Sequence, residues 1–257
     1  QNLLFSHPAG DFFDLSISGT NASVALTAVT LNSPSVGLAQ YGAALIVVSN
    51  STVLFNAVHV ENTNRANTVI NTEADLHSTL NFSQCTVNAS QGVNGVYHVV
   101  ANDSTVWFSN GSITHSGADV DGQTMGATLQ FYLQDSEWNL VDSYFENCSA
   151  TDQGGAAYIE STRSKGLIAR TTFLSSRAYE GGGAYVRNGG STLRVQDCNF
   201  TLNNASQGAL LIMQQNDSFA MNQSSSSIVT GTLFDRNFVR LSGAGLNCAT
   251  AWEIEVV

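Results

Sequence analysis

Apolar residues along this chain fall in short alternating runs. Val24/Leu26, Val53/Phe55, Leu80/Phe82, Val106/Phe108, Trp138/Leu140 and Leu193/Val195 each flank one variable residue. A period of two is the pattern of a β-strand with one buried face. Most of these runs are introduced by a serine-threonine pair, as at Ser51-Thr52, Ser78-Thr79, Ser104-Thr105 and Ser191-Thr192. Each is followed at constant spacing by one further apolar residue. These anchors are Leu31, Val60, Val87, Ile113, Phe145, Phe173, Phe200 and Phe234, with successive steps of 29, 27, 26, 32, 28, 27 and 34 residues. The two long steps place insertions near residues 117–123 and 217–227. In the coils anchored at Phe173 and Phe234 the alternating pair slips by one residue, which predicts a bulge or a shifted turn there.

A third recurrent feature is a small-residue opening, seen at Gly42-Ala43-Ala44, Gly95-Val96, Gly126-Ala127, Gly155-Ala156, Gly208-Ala209 and Gly243-Ala244. Small residues suit a tight corner with close backbone approach. Apolar stretches such as Leu45–Val48 and Leu129–Leu133 follow and read as further strands. Three short strands and three turns in ~27 residues, without helical periodicity, describe one coil of a parallel β-helix. Stacked coils bring like positions together, so the anchors become an internal stack. Three residues beyond the anchors stand Thr63, Ser90, Ser116, Cys148, Ser176, Asn203 and Asn237, a small polar ladder able to satisfy backbone groups between coils. The expected fold is all-β: one single-stranded parallel β-helix over residues 1–257, with 1–14 as an N-terminal cap or extension. Eight coils and part of a ninth would form a rod ~40 Å long at ~4.8 Å per coil. Ala251-Trp252-Glu253-Ile254 echoes Glu137-Trp138-Asn139-Leu140, and the next anchor would fall just past Val257, so the last coil reads as incomplete.

Gly-Gly-Ala with Phe-x-x-Asn resembles the repeat of polymorphic outer membrane protein (Pmp-type) passenger domains. The matching residues are Gly154-Gly155-Ala156 with Phe145, Gly182-Gly183-Ala184 with Phe173, Phe200 with Asn203, and Phe234 with Asn237. The match extends from about Phe145 to Gly245; earlier coils keep the spacing but replace Phe and lose the Asn. The resemblance implies a right-handed parallel β-helix of the pectin-lyase-like superfamily. It implies no shared activity, because the matched residues are structural.

Charged residues make up 11% of the chain, with a net charge of −11 and Lys165 as the only lysine. Without a basic footprint, nucleic-acid binding is excluded. No apolar run approaches the ~20 residues of a membrane span, so membrane insertion is not expected. Eleven Asn-X-Ser/Thr triplets begin at Asn21, Asn50, Asn81, Asn88, Asn102, Asn110, Asn147, Asn199, Asn204, Asn216 and Asn222. With the low charge, they favour a secreted glycoprotein carrying N-linked glycans.

Candidate chemistry is sparse. Asp142, Arg170 and Asp197 each lie three residues before an anchor, so stacking predicts an Asp–Arg–Asp column with ~5 Å steps. It reads as a surface charge ladder, or as a carboxylate pair for glycoside cleavage. Asp119 and Asp121 open a segment loosely like a calcium loop but without its later ligands. The five histidines fall at different coil positions, and no cofactor motif is present. Cys85 and Cys198 share a coil position four coils apart, ~19 Å, beyond disulfide reach, so no intrachain disulfide is expected.

These features point to an extracellular structural or adhesive β-helix without enzymatic activity. It would self-associate end to end into a filament, or continue as a longer chain. The alternatives are a polysaccharide lyase or hydrolase using Asp142, Arg170 and Asp197, and a carbohydrate-binding β-helix with Trp107 stacking on sugar.

Overall fold

Strands that follow one another in the chain lie in different sheets. The computed structural model describes residues 3–6, 15–32, 44–61, 64–65, 69–92, 95–117, 128–215, 225–243, 245–249 and 254–256. Their main strands form three parallel sheets of nine. Sheet I runs from Leu3–Ser6 through Val29–Asn32 and His59–Glu61 to Leu233–Asp235. Sheet II runs from Leu15–Thr20 and Ala44–Ser49 to Leu246–Ala249, and sheet III from Ser23–Thr27 and Thr52–Asn56 to Ile254–Val256. The chain visits I, II and III in turn, so each circuit adds one strand to every sheet. The fold is a parallel β-solenoid, with no helix among the described residues.

The anchors pair rung by rung: Leu31 with Val60, Val60 with Val87, Val87 with Ile113, Ile113 with Phe145, Phe145 with Phe173, Phe173 with Phe200, and Phe200 with Phe234. One rung precedes them. Leu3–Ser6, placed by sequence in an N-terminal cap, already pairs with Val29–Asn32. At the expected insertions the ladder continues through Gly117, which bridges Ser149, and through Ser226 and Ser227, which pair with Thr192 and Leu193. The intervening residues 118–127 and 216–224 lie outside the described residues.

The expected one-residue slip in the Phe173 and Phe234 coils does not occur. Gly166 pairs in register with Trp138, and Ser227 with Leu193. A Cβ on Gly166 would lie 2.2 Å from the Trp138 ring, so the glycine makes room for an indole that spreads over two rungs. Ser227 is polar because Asn188 Nδ2 and Gln214 Nε2 both donate to its Oγ inside the solenoid, at 3.3 Å each. Both inward positions are filled in register by residues that break the apolar pattern. The register shift lies elsewhere, where Asn204–Gln207 pairs with Phe238–Ser242.

At two inward positions, five residues before the anchor and the anchor itself, volume is exchanged between two sheets. In the first half sheet III supplies the aromatic and sheet I an aliphatic: Phe55 with Val60, Phe82 with Val87, Phe108 with Ile113. From the next coil the roles reverse, to Leu140 with Phe145, Ile168 with Phe173, and Val195 with Phe200. Close packing requires this, because overfilling or underfilling a slice strains its neighbours. The aromatic column crosses from sheet III to sheet I between Phe108 and Phe145, whose ring centroids are 6.4 Å apart. Below that step the rings lie nearly parallel, 5.1 Å apart for Phe145–Phe173 and 4.6 Å for Phe173–Phe200.

Corners are fixed by backbone, not by residue type. Between sheets III and I stand Ala28, Ala57, Gln84, Asn110, Asp142, Arg170 and Asp197, all with φ between 49° and 55°. This left-handed conformation costs a non-glycine residue about 1–2 kcal/mol. It is offset because each corner N–H bonds to the next rung, as Ala28 N to Asn56 O (2.9 Å) and Arg170 N to Gln196 O (3.0 Å). The expected polar ladder beyond the anchors is present: Ser90 N–H donates to Ser116 Oγ, Cys148 N–H to Ser176 Oγ, Ser176 N–H to Asn203 Oδ1 and Asn203 N–H to Asn237 Oδ1. Thr63 lies outside the described residues. A second ladder, at the corner between sheets II and III, uses the serines that introduce each alternating pair. Ser51 N–H donates to Ser78 Oγ, Ser104 N–H to Ser136 Oγ, Ser136 N–H to Ser164 Oγ and Ser164 N–H to Ser191 Oγ.

Candidate functional site

The Asp–Arg–Asp column forms at the corner between sheets III and I. Arg170 grips Asp142 bidentately, Nε to Oδ1 at 2.6 Å and Nη2 to Oδ2 at 2.8 Å. The guanidinium holds the Asp142 carboxyl below the usual carboxylate range. Asp197 accepts from its neighbour Gln196 at 3.1 Å and makes no ion pair with Arg170. A second pair of the same kind, Arg163 with Asp135 (2.8 and 2.7 Å), sits at the corner between sheets II and III. Both are solvent-exposed, where such pairs contribute ~0–1 kcal/mol. Both carboxylates stay ionised near neutrality, so neither carries a proton for general-acid chemistry.

Asp119 and Asp121 lie outside the described residues. Among the described residues no group of three His, Cys, Asp or Glu side chains converges as a metal site would require. His77 meets Asp103 at 3.0 Å, His98 bonds Asn71 at 2.9 Å and His115 meets Asn147 at 3.3 Å, each across adjacent rungs. Of the sequon asparagines, Asn21, Asn50, Asn110 and Asn147 occupy exposed positive-φ corners. Asn88, Asn102 and Asn204 are exposed at strand ends. Asn81 and Asn199 are half-buried, and Asn216 and Asn222 lie outside the described residues.

All four cysteines are free thiols. Burial raises the Cys85 and Cys198 thiols from the ordinary 9.0 to about 11, and Cys148 to about 12. The unfolded chain therefore ionises first, and stability from these groups is intact below pH 9 and lost as pH climbs towards 11. Urea midpoints should hold level to about pH 9 and then fall, with the three buried thiols unreactive to aromatic disulfides in the folded protein. Rapid labelling of Cys148 without unfolding would contradict this burial.

Two outward surfaces depart from plain scaffolding. On sheet II, Tyr158, Tyr185 and Leu211 are fully buried although they point away from the solenoid core, and they form a separate apolar cluster with Tyr132 and Met213. Tyr158 and Tyr185 stack at 5.5 Å, and Tyr158 donates to Glu160 at 3.0 Å.

On sheet III a shallow groove of about 470 Å³ crosses the strands Glu137–Val141, Lys165–Ala169, Thr192–Gln196 and Ser226–Thr230. Leu167 and Ile228 supply its outward apolar side chains. Asn139 also lines it, 5% exposed, with an Nδ2 that finds no acceptor. A buried donor left unpaired costs about 1–3 kcal/mol. Trp107, 38% exposed, pairs with Asn139 on the adjoining rung. Sequence reading singled out Trp107 but missed the groove, whose residues come from four coils and repeat no chemistry. Neither this groove nor a smaller one lined by Arg177, Tyr179 and Arg240 includes Asp142, Arg170 or Asp197.

No family model, curated protein or solved structure matches the chain.

Proposed function

We propose that this chain is an extracellular structural or adhesive glycoprotein whose solenoids associate through strand edges into a fibre or surface layer. The observation that carries this reading is the parallel ladder itself, in which the strands of one coil pair with those of the next. Leu233–Asp235 pairs with Asn199–Thr201 in sheet I, and Phe238–Ser242 pairs with Asn204–Gln207 in a two-stranded sheet. Leu233 is 56% exposed, Phe238 59% and Leu241 69%. A strand edge flanked by apolar side chains is a template for a further strand, from the same chain or from a second molecule. A rung on a second molecule would extend the same ladder, giving the head-to-tail contact that builds open assemblies.

Supporting features are the inward and corner residues, which packing accounts for, and seven sequon asparagines exposed on corners and strand ends. Kinship with Pmp-type repeats belongs to the same proposal. It is supported by what the Phe-x-x-Asn asparagines do: Asn203 Nδ2 donates to Phe173 O at 2.8 Å and Asn237 Nδ2 to Phe200 O at 2.7 Å, each tying its coil to the one before.

Sedimentation velocity across a range of concentrations tests the assembly. Association should rise with concentration and disappear in Phe238→Glu/Leu241→Glu. A single monomeric species at every concentration would sink the filament reading.

A further inference from the structure

We propose that the groove on the outer face of sheet III is a binding site for an anionic glycan chain. This goes beyond the scaffold reading and does not rest on it.

Charge is the first indication. In a chain of net charge −11, Arg163, Arg170, Arg187 and Arg236 each pair with a carboxylate, whereas Arg177 and Arg240 form no ion pair with a described residue. Lys165 and Arg194 both line the groove, on adjacent rungs, and neither forms an ion pair with a described residue. Glu137 stands across the ladder from Lys165 without bonding it, at the groove's rim. The groove therefore presents two cations without an ion-pair partner among the described residues, side by side on one face.

Asn139 is the second indication and is independent of charge. Its amide is almost completely buried beside the groove, with a donor lacking any acceptor. Native interiors rarely leave such a group unmatched, and an acceptor supplied by a ligand would complete it. Lys165, Arg194 and Asn139 are all donors, so the complementary ligand is rich in acceptors and negatively charged.

Geometry favours a glycan over a peptide. The groove lies on the face of a sheet whose backbone groups are already paired, so a docked peptide would find no ladder to join. The polar positions are instead side-chain hydroxyls and amides, Thr192, Ser226 and Gln196, suited to sugar hydroxyls. A pyranose ring spans close to one rung, ~4.8 Å, so consecutive sugars can meet consecutive coils. Trp107, next to Asn139 in the outward row, extends the surface with an exposed indole on which a sugar's C–H face can lie.

Isothermal titration and Trp fluorescence on the full chain, with three hexasaccharide probes and a poly-glutamate peptide, test the assignment. The probes are a uronate-containing, unsulfated hyaluronan fragment, a sulfated heparin fragment and neutral cellohexaose. Binding of at least one acidic hexasaccharide, weakened by salt and well above cellohexaose and poly-glutamate, is expected. The two acidic probes separate carboxylate from sulfate as the recognised group. Lys165→Gln/Arg194→Gln should weaken that binding on the order of tenfold or more, since two charge-assisted hydrogen bonds are removed. Trp107→Ala should weaken it and abolish the fluorescence change, whereas Arg163→Gln, at a corner, should leave it unaltered. These are outward side chains, and unchanged thermal unfolding confirms each variant is folded. Failure of both acidic glycans to bind, equal binding of cellohexaose or poly-glutamate, or indifference to the Lys165/Arg194 double variant would overturn the proposal.

Discussion

Phe173→Ala should lower the unfolding free energy by about 3–5 kcal/mol, the usual cost of emptying an aromatic site in a core that cannot collapse. Phe173 is fully buried between Phe145 and Phe200, at 5.1 and 4.6 Å, so truncation opens a hole in the middle of a continuous column. The walls of that hole are backbone ladders bonded to rungs on both sides and have little freedom to close. The exchange of volume between sheets gives a sharper test. Phe173→Val alone should destabilise strongly, whereas Ile168→Phe/Phe173→Val recreates the Phe82–Val87 arrangement of an earlier coil. The double variant should recover about 1–2 kcal/mol relative to the sum of the single changes, a coupling typical of residues in contact. Urea unfolding of the three variants measures it. Strict additivity would mean that the two sheets do not share one core slice.

Gly155→Ala should be nearly as costly for the opposite reason. A Cβ there would stand 2.0 Å from Gly182 O, and 2.7 and 2.8 Å from Arg177 O and N, all backbone atoms of the next coil. No rotamer change relieves such a contact, so the two coils must part locally and weaken the Gly155 N–H bond to Gly181 O, 3.1 Å long. Overpacking costs about 1–3 kcal/mol and a lost hydrogen bond about 1 kcal/mol more. Urea unfolding should therefore show a loss of about 2–4 kcal/mol. Amide exchange should accelerate first around residues 177–183. Wild-type stability in this variant would mean that the coils are not in contact at this corner.

The inward half of the molecule was legible in the sequence because stacking makes equivalent positions repeat their chemistry. Leu31 to Phe234 pair as their spacing predicts, and the ladder from Ser90 to Asn237 bonds from coil to coil. Register failed to read only at Gly166 and Ser227, where the inward residue answers to one neighbour, the Trp138 ring or the Asn188 and Gln214 amides. Leu3–Ser6 was missed as a strand because four residues are too few to show a period. The outward half was largely illegible. Sheet III carries Asn81, Trp107, Asn139, Leu167, Arg194 and Ile228 along one outward row, with no residue type held from one rung to the next to mark it. That Asn139 lacks an acceptor depends on distances no spacing rule contains.

Register between coils is the premise on which the core, the corner columns and the groove all depend. The exposed pair Asp142 and Arg170 tests it without touching the core. Corner residues one rung apart are ~4.8 Å from Cα to Cα, within disulfide reach, whereas those two rungs apart are ~9.6 Å and beyond it. Mild oxidation of Asp142→Cys/Arg170→Cys, read by peptide mass mapping, should give a 142–170 disulfide, and Asp142→Cys/Asp197→Cys should give none. A 142–197 disulfide, or failure of the adjacent pair to close in the folded protein, would contradict the stacked register.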